Sequence, residues 1–263
     1  MTEVNKTLYI PLYGKAFVSR KGIILHDEKA EEIWDKAGFP LKGKSRSKWL
    51  AYYMGMRAAV FDGWVREKCE QEKDSVVLHI GCGLDSRAER VKSGCEWYDV
   101  DFPDVIEERK KYFCESEKYR MLSADVRGEE WISSLPQGKN AIIVMEGVSM
   151  YLAPEELCML LSRLCECFGK VSLLLDAYTV FAAKASKYKN PINDVGVTEV
   201  YGADSGEAVC RGTGLSFVSE HCMTPLQKIN ELRGAEKFIF RRVYGGGIAK
   251  KMYRMYEYEK RTV

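Results

Sequence analysis

The sequence predicts an α/β fold with a mostly parallel sheet that helices cover on both faces. Seven short apolar segments are candidate strands, and several are continuous apolar runs, as expected for strands that are buried on both faces. Amphipathic helical segments alternate with them, which is the order produced by parallel strands joined through helical crossovers. The candidate strands span residues 76–80, 97–100, 120–124, 141–145, 171–175, 215–219 and 252–258.

Three helical segments are marked in the sequence. Residues 154–168 begin with Pro154 and two glutamates, carry a leucine stripe and are followed by Gly169, which is typical of a well-terminated helix. A second helix begins at Pro103. The apolar side chains of residues 57–69 fall on one helical face, so we expect this helix to pack on the sheet. They are Val60, Phe61, Trp64, Val65 and Cys69.

The organisation of the chain fits one domain. Its 263 residues are enough to bury one large α/β core. Residues 1–75 are predicted to form a mostly helical cap with a polar loop at 42–48, and residues 76–178 to form the ligand-binding core. Two irregular insertions, 179–206 and 223–250, are expected to form lids or substrate walls over the carboxyl ends of the strands.

Composition narrows the possible partners. With 40 basic and 38 acidic residues, the chain gives no electrostatic indication of nucleic-acid binding. Ten basic and four acidic residues between Lys228 and Arg261 indicate either a solvated face or attraction of an anionic substrate. Nine cysteines without a C-x-x-C and three scattered histidines predict neither a disulfide framework nor a metal site. Without a signal sequence or a membrane-spanning apolar run, we expect a soluble, cytoplasmic protein with no membrane partner.

A glycine-rich turn follows the first candidate strand. It reads Gly81-Cys82-Gly83-Leu84-Asp85-Ser86, and its glycines let a ligand approach backbone amides that a Cβ would block. A tight turn without a ligand has the same sequence, so the pattern is weak by itself. The third glycine of the dinucleotide fingerprint would fall at Ser86, which counts against a pyrophosphate-binding dehydrogenase and favours a cofactor without phosphates.

Acidic residues follow the next three candidate strands. Asp101 ends the second, where a carboxylate can accept two hydrogen bonds from a ribose diol. Asp125 follows the third, where it can accept from an adenine amino group, and Glu146 follows the fourth. A single acid of this kind is more commonly a loop or capping residue. A succession of them at the carboxyl edge of a sheet indicates the ligand-binding crevice of an open α/β fold.

Together these segments resemble the leucine carboxyl methyltransferase family, which includes bacterial O-methyltransferases of polyketide biosynthesis. The resembling motifs are VLHIGCGLDSR at 77–87, WYDVDFP at 97–103, ADVR at 124–127 and EGVSMYL at 146–152, in the family's order. The resemblance implies a Rossmann-like class I methyltransferase fold whose seven-stranded sheet has an antiparallel last strand. It also implies S-adenosylmethionine as the cofactor and S-adenosylhomocysteine as its product.

The resemblance assigns most cofactor contacts to the sheet core. Gly81 and Gly83 would form the turn beneath the methionine part of S-adenosylmethionine. Asp101 would hold the ribose, and Asp125 and Val126 would hold the adenine.

Further contacts at the methionine end are implied in the same way. Glu146 would line the pocket there. Arg57, in MRAAVFD at 56–62, resembles the arginine that pairs with the cofactor carboxylate, a role that suits a guanidinium fork. Lys15 would be a second cation. The chain departs from the family pattern at Ala59, where many bacterial members have a second arginine, and in a short N-terminal region.

Candidate acceptor residues follow the fourth strand and lie in the second insertion. Tyr151 is a candidate for contacting the acceptor, and Arg241, Arg242 and Tyr244 are candidates for steering an anionic one. Packing and surface roles remain alternatives for all four. A carboxylate acceptor would be ionised at neutral pH and need no general base, whereas a phenol would benefit from one. The family methylates protein C-terminal carboxylates in some members and small molecules in others, and the short lid segments favour a small molecule.

Two other classes of function remain open from the sequence alone. A nicotinamide-dependent dehydrogenase would explain the glycine turn and Asp101, but it does not predict Ser86 or the acids Asp125 and Glu146. A non-catalytic cofactor-binding protein would keep the nucleotide residues and have a blocked acceptor cavity.

Overall fold

One sheet organises the chain. The computed structural model describes residues 6–41, 43–186 and 200–260. Its strands are β1 (Val76–Ile80), β2 (Glu96–Asp101), β3 (Tyr119–Ser123), β4 (Ala141–Met145), β5 (Val171–Tyr178), β6 (Leu215–His221) and β7 (Tyr253–Lys260). Their order in the sheet is β3-β2-β1-β4-β5-β7-β6. Strands β1 to β5 run parallel, and β7 is antiparallel to both of its neighbours. The predicted fold class is confirmed, including the antiparallel last strand.

Helices surround this sheet. In chain order, the described α-helices are α1 (Tyr9–Arg20), α2 (Glu28–Ala37), α3 (Lys48–Gln71), α4 (Arg87–Val91), α5 (Pro103–Arg109), α6 (Pro154–Cys167), α7 (Val180–Ala185), α8 (Gly206–Cys210), α9 (Leu226–Ile229), α10 (Gly234–Val243) and α11 (Gly247–Lys250). Short 3-10 turns occupy Gly43–Arg46, Glu130–Ser134 and Ser149–Tyr151. No helix in the described ranges is both long and apolar enough to cross a membrane.

Helix α6 covers one face of the sheet. Pro154 occupies its first turn, and the Glu156 carboxylate accepts a hydrogen bond from Ala153 N at 2.8 Å. The predicted leucine stripe of this helix is buried in a cluster with β1, β4 and β5, and each such side chain contributes about 1.5–3 kcal/mol. The stripe consists of Leu157, Leu160, Leu161 and Leu164.

Helix α3 covers the opposite face. Ser47 caps its N-terminus by accepting a hydrogen bond from Leu50 N at 3.4 Å. Phe61, Trp64 and Val65 are buried in a second cluster with the strand residues of this face, so the predicted stripe does pack on the sheet. Arg57 of the same helix contacts Glu146, which directly follows β4 at the carboxyl edge of the sheet.

The second insertion differs from its prediction. The sequence predicts an irregular segment at 223–250, but the structure contains α9, α10 and α11 there. Phe240 is fully buried and meets the Tyr52 ring edge to face at 6.1 Å, which anchors α10. Glycines at 245–247 interrupt the helical period and concealed these short helices. The first insertion begins with α7, and residues 187–199 lie outside the described part of the chain.

The register of the strands aligns four residues at the carboxyl edge of the sheet. Ile80 of β1 pairs with Val100 of β2 and with Met145 of β4, and Met145 pairs with Leu175 of β5. The next residue along each strand therefore lies in one row, which we call the edge row. The edge row consists of Asp101, Gly81, Glu146 and Asp176.

Candidate active site

A cavity of about 1150 Å³ lies beside the edge row. Ligand pockets commonly measure roughly 300–1,000 Å³, so this cavity has room for a cofactor and a second small molecule. The cavity is lined by every residue predicted to contact the cofactor or acceptor, except two arginines that are discussed below. These lining residues are Lys15, Arg57, Gly81, Gly83, Asp101, Asp125, Val126, Glu146, Tyr151 and Tyr244.

The turn after β1 depends on two glycines in the left-handed region. The φ angle is +68° at Gly81 and +50° at Gly83, a conformation that residues with a Cβ rarely adopt. A Cβ on Gly81 would also lie 2.1 Å from Cγ2 of Val148. Gly81 N donates to Val100 O at 2.8 Å, which holds the turn across the end of β2. The glycines therefore allow the turn and the loop after β4 to meet beneath the cavity.

Arg57 connects two members of the edge row. Its Nε donates to Glu146 Oε1 at 3.0 Å, and its Nη1 donates to Asp176 Oδ2 at 3.1 Å and to Tyr253 Oη at 2.9 Å. All of these side chains are buried or nearly so. Burial alone raises the pKa of Glu146, but Arg57 and Arg87 hold this pKa well below its usual range. Glu146 is therefore ionised at neutral pH.

Glu146 belongs to a larger set of buried ion pairs, which we call the ion network. Arg87 contacts Glu146, and it lies 3.2 Å from Asp85 and 2.8 Å from Asp62. Lys15 Nζ lies 3.1 Å from Asp85 Oδ1. The four cations and five acids of the network are Lys15, Arg57, Arg87, Arg90, Asp27, Asp62, Asp85, Glu146 and Asp176. With every group ionised, its net charge is negative.

Six of the nine network residues received no role from the sequence analysis, among them Asp85, Arg87 and Asp176. Asp85 and Arg87 stand within the 77–87 motif, and Asp176 directly follows the fifth candidate strand, so a signal was present for each. Asp176 is fully buried, and its Oδ1 accepts a hydrogen bond from Gly147 N at 2.7 Å. Burial raises the pKa of Asp176 to about 6, and Arg57 opposes this rise. Asp176 is therefore a carboxylate that can exchange a proton near neutral pH.

Asp101 lies on the β2 side of the edge row. Its carboxylate accepts hydrogen bonds from Gly83 N at 2.7 Å and from Phe102 N at 2.8 Å. Burial raises the pKa of Asp101 to about 6, while these two amides oppose the rise. A carboxylate has about four acceptor positions, so Asp101 keeps capacity for ligand hydroxyls at the cavity wall.

Asp125 lies beyond the edge row, two positions after the end of β3. Its side chain is 41% exposed and pairs with Arg127, whose Nη2 is 2.5 Å from Asp125 Oδ2. The hydrogen bond from Arg127 lowers the pKa of Asp125. Val126 is buried next to it. Both residues reach the cavity, but the acid is already engaged by a cation.

One part of the cavity is lined by aromatic side chains, and we call it the tyrosine lobe. The Tyr53 and Tyr253 rings stack with centroids 6.5 Å apart, and Tyr178 meets Tyr253 edge to face at 4.8 Å. Burial raises the pKa of Tyr151, so its hydroxyl stays protonated at neutral pH. The lobe consists of Tyr53, Tyr151, Tyr178, Tyr244 and Tyr253.

The two predicted steering arginines lie elsewhere. Arg241 and Arg242 are exposed on α10, and within residues 234–244 the cavity is lined by Val243 and Tyr244. The helix buries Phe240 in the core, so the next two positions turn outwards. Neither arginine lines the cavity, so the lining gives no support to their predicted role in steering an anionic acceptor, which stays a prediction.

Comparison with known families identifies the chain. Residues 3–165 match the family model described as leucine carboxyl methyltransferase, which is more than half of the 263 residues. The chain belongs to the leucine carboxyl methyltransferase family. The resemblance carried by the four motifs is thereby confirmed.

Two related proteins match more than half of the chain. It is 30% identical over 243 residues to the tetracenomycin polyketide synthesis O-methyltransferase TcmP of Streptomyces glaucescens, which covers 91% of this chain and 90% of the relative. It is 25% identical over 182 residues to the S-adenosyl-L-methionine-dependent methyltransferase dpfgK of Gibberella zeae. This match covers 62% of this chain and 61% of the relative. The chain is an S-adenosylmethionine-dependent O-methyltransferase.

Solved structures share its fold. Magnesium protoporphyrin IX methyltransferase (ChlM) from Synechocystis PCC 6803 with bound S-adenosylhomocysteine superposes with a TM-score of 0.52 at 13% identity, covering 89% of this chain and 100% of that one. Human N-acetylserotonin methyltransferase in complex with S-adenosylmethionine has a TM-score of 0.50 at 16% identity, covering 89% and 65%. At these identities the likeness concerns the fold.

The charges of this leucine carboxyl methyltransferase site suit its cofactor. S-adenosylmethionine carries a sulfonium, an ammonium and a carboxylate, so its net charge is positive. With five acids and four cations, the ion network carries one negative charge in sum, which suits a cofactor whose net charge is positive. Ser86 occupies the position of the third fingerprint glycine. Its hydroxyl donates to Asp27 Oδ1 at 2.5 Å, so this position is hydrogen-bonded to the ion network. The dehydrogenase alternative has no support in this geometry.

The close approach at Gly81 gives a first prediction for this family member. We expect Gly81→Ala to destabilise the fold by at least about 1 kcal/mol more than Gly22→Ala does, as measured by urea unfolding. Gly22 has a similar φ of +62°, and a Cβ there would meet nothing within 4 Å. The control variant Gly22→Ala therefore has the strain of a positive φ but no collision like the one between the Cβ added at position 81 and Val148. Equal costs for the two variants would contradict the close packing of the turn.

The raised pKa of Asp176 gives a second prediction. An acid whose pKa is higher in the folded state destabilises the fold when it ionises. The cost from Asp176 builds up between its usual pKa of 3.8 and its folded pKa of about 6, so it is partial at pH 5 and full at pH 7.5. Burial lowers the pKa of His79, so the titration of His79 changes the stability of the fold in the opposite direction over the same pH interval. The test therefore compares the variant with wild type at each pH. We expect the thermal midpoint of Asp176→Asn, relative to wild type, to be more favourable at pH 7.5 than at pH 5. The same relative midpoint at both pH values would contradict the prediction.

Proposed function

We propose that the chain methylates an oxygen of a flat, largely apolar small molecule bound in the tyrosine lobe. The observation that carries this proposal is the lining of the lobe, where five tyrosine rings border the cavity next to Arg57. Aromatic rings present flat apolar surfaces with defined stacking geometries, and these favour planar ligands. The name of the relative with 30% identity refers to polyketide synthesis, which supports an acceptor of related chemistry. Arg241 and Arg242 do not line the cavity, and the proposed acceptor does not depend on them.

The edge row orients the proposed cofactor. It runs from Asp101 on β2 through Gly81 to Glu146 and Asp176, and the tyrosine lobe adjoins its β5 end through Arg57 and Tyr253. A cofactor extended along this row, with its ribose at Asp101, has its sulfur on the side of the lobe. The proposed contacts are Lys15, Arg57, Gly81, Gly83 and Glu146 at the methionine end, Asp101 at the ribose, Asp125 and Val126 at the adenine, and Tyr151 at the acceptor.

The chain's own contribution to the reaction is positioning and exclusion of water. When bound, the cofactor supplies a methyl group on a positively charged sulfur, ready for in-line attack by an oxygen. The tyrosine rings hold the acceptor and shield it from solvent. Arg57 fixes the two acids on its side of the edge row, so the walls of the cavity are ordered before ligands bind.

The two insertions are proposed to form the outer wall of the acceptor site within a single domain. Ala182 and Ala185 of α7, from the first insertion, line the cavity, as do Tyr244 and Ala249 from the second. We also propose a cytoplasmic location. All nine cysteines are free, and six of them are buried as small apolar side chains, as in a reducing compartment.

Turnover of matched acceptors tests the proposed function. The probes are 1-naphthol, 1-naphthoate and a peptide that ends in a free leucine carboxylate, each incubated with S-adenosylmethionine and followed by mass spectrometry. We expect a methylated naphthalene and an unmodified peptide. We also expect Tyr151→Ala to raise the KM for the naphthalene without changing the affinity for S-adenosylhomocysteine. Methylation of the peptide alone, or of none of the three probes, would contradict the proposal.

A further inference from the structure

His79 is the last but one residue of β1, and both nitrogens of its ring have partners. It is 1% exposed and belongs to the lining of the cavity. Its Nε2 lies 3.1 Å from Nη1 of Arg87, and its Nδ1 lies 3.2 Å from Oδ1 of Asp99. A guanidinium can only donate, so Nε2 must accept the hydrogen bond from Arg87. The ring proton is therefore on Nδ1, which donates to Asp99, and His79 is neutral.

The partner of Nδ1 is a carboxylate whose acceptor positions are all in use. Burial alone would raise the pKa of Asp99, but Arg109 and His79 lower it to about 2. Oδ1 of Asp99 also accepts from Trp97 Nε1 at 2.8 Å, and Oδ2 accepts from Arg109 and from the Tyr119 hydroxyl. Four donors thus fill the acceptor positions of an ionised carboxylate, which number about four. Asp99 therefore holds the imidazole in one orientation and one tautomer.

His79 connects two parts of the cofactor site. On one side, Arg87 contacts Glu146, which is a proposed contact at the methionine end. On the other side, Arg109 is bound to the same carboxylate as His79, and its Nη1 donates to Gly83 O at 2.9 Å. A continuous series of hydrogen bonds therefore runs from Glu146 through His79 to the glycine turn. A neutral imidazole suits this place because one nitrogen accepts while the other donates.

The surroundings of His79 favour the uncharged ring. Burial lowers the pKa of His79, and Arg87 acts in the same direction, while Asp99 and Asp85 oppose the shift without cancelling it. An imidazolium would place two like charges 3.1 Å apart and would lose the hydrogen bond from Arg87. An aliphatic side chain would remove the acceptor that Nη1 of Arg87 now has. Position 79 therefore requires an uncharged side chain that accepts a hydrogen bond.

We propose that His79 is a positioning residue for the cofactor: as a neutral imidazole it holds Arg87 against Glu146 and ties this acid to the glycine turn. His79 acts through Arg87, because residues that contact a ligand keep their geometry only when neighbouring hydrogen bonds support them. Without this support Glu146 would lose its fixed orientation, and the cofactor would bind more weakly. Because this role concerns cofactor binding, it does not depend on which acceptor occupies the tyrosine lobe.

Binding of S-adenosylhomocysteine to two variants with side chains of similar size tests this role. His79→Gln keeps an uncharged oxygen that can accept from Arg87, whereas His79→Leu has none. In isothermal titration calorimetry we expect His79→Leu to bind about 10-fold more weakly than wild type, since a hydrogen bond to a charged group is lost, and His79→Gln to stay within about threefold. His26→Leu is the control, because the His26 side chain is 78% exposed, and it should bind as wild type does.

The protonation state of His79 is measured on the wild-type protein, so it can be tested even if His79→Leu does not fold. Proton–nitrogen correlation NMR spectra of isotope-labelled histidine distinguish a proton on Nδ1 from one on Nε2 and from the imidazolium. We expect the Nδ1–H form at pH 6.5, where a histidine in water is about half protonated, both with and without S-adenosylhomocysteine.

Three results would overturn the inference. The first is an imidazolium or a proton on Nε2 of His79 at pH 6.5. The second is wild-type affinity in His79→Leu. The third is a loss of affinity in His79→Gln of about 10-fold or more, which would show that an acceptor for Arg87 is not what the site needs. None of these results bears on the acceptor, so the proposed function would stand in each case.

Discussion

Arg57→Ala is expected to destabilise the fold by about 3–5 kcal/mol and to reduce binding of S-adenosylhomocysteine below detection. Arg57 is 5% exposed, and its guanidinium is shared by Glu146, Asp176 and Tyr253. Its removal leaves two buried acids without their common partner and takes away the proposed contact for the cofactor carboxylate. Urea unfolding measures the first effect and isothermal titration calorimetry the second.

A control on the same helix separates this effect from the general cost of removing an arginine. Arg66 is exposed on α3 and donates to Arg90 O at 3.3 Å. We expect Arg66→Ala to change the free energy of unfolding by less than about 0.5 kcal/mol and to leave binding intact. If Arg57→Ala were as stable as Arg66→Ala and bound S-adenosylhomocysteine normally, the assignment of Arg57 to the centre of the site would be wrong.

Asp101→Ala is expected to weaken binding of S-adenosylhomocysteine by about 2 kcal/mol, or roughly 30-fold. Asp101 is the acid of the edge row on the β2 side, and it also accepts a hydrogen bond from Gly83 N. Its loss therefore removes the proposed ribose contact and loosens the glycine turn. Asp125→Ala should cost less than about 1 kcal/mol, because Asp125 is 41% exposed and paired with Arg127. Both affinities are measured by calorimetry.

The comparison between these two acids is itself informative. The sequence places both after strands, but only Asp101 lies in the edge row. A larger loss of affinity in Asp125→Ala than in Asp101→Ala would mean that the cofactor does not lie along the row as proposed.

Local patterns in the sequence were sufficient to predict most strands of the sheet and the residues that follow them in the edge row. Strands β1 and β4 match their predicted limits because each is a largely apolar run, interrupted in β1 by His79 alone. Gly81, Asp101 and Glu146 were predicted because each stands immediately at the end of such a run, and parallel strands bring these ends together.

Contacts between distant parts of the chain could not be predicted in this way. Arg57 meets Asp176 across 119 positions and Tyr253 across 196, and no local period relates these residues. The strand β7 was predicted, but a strand alternates its side chains, and nothing in the sequence shows that Tyr253 enters the cavity. The outward position of Arg241 and Arg242 could not be predicted for a related reason, since the orientation of α10 depends on the burial of Phe240 beneath it.

A crystal structure of the chain with S-adenosylhomocysteine is the most direct test of the central claim, which is that the cofactor lies along the edge row with its sulfur towards the tyrosine lobe. The account predicts density for the ribose at Asp101 and for the methionine carboxylate at Arg57 or Lys15, with the sulfur facing Tyr151 and Tyr253. Density with the adenine in the tyrosine lobe, or with the sulfur turned towards Asp125, would contradict it.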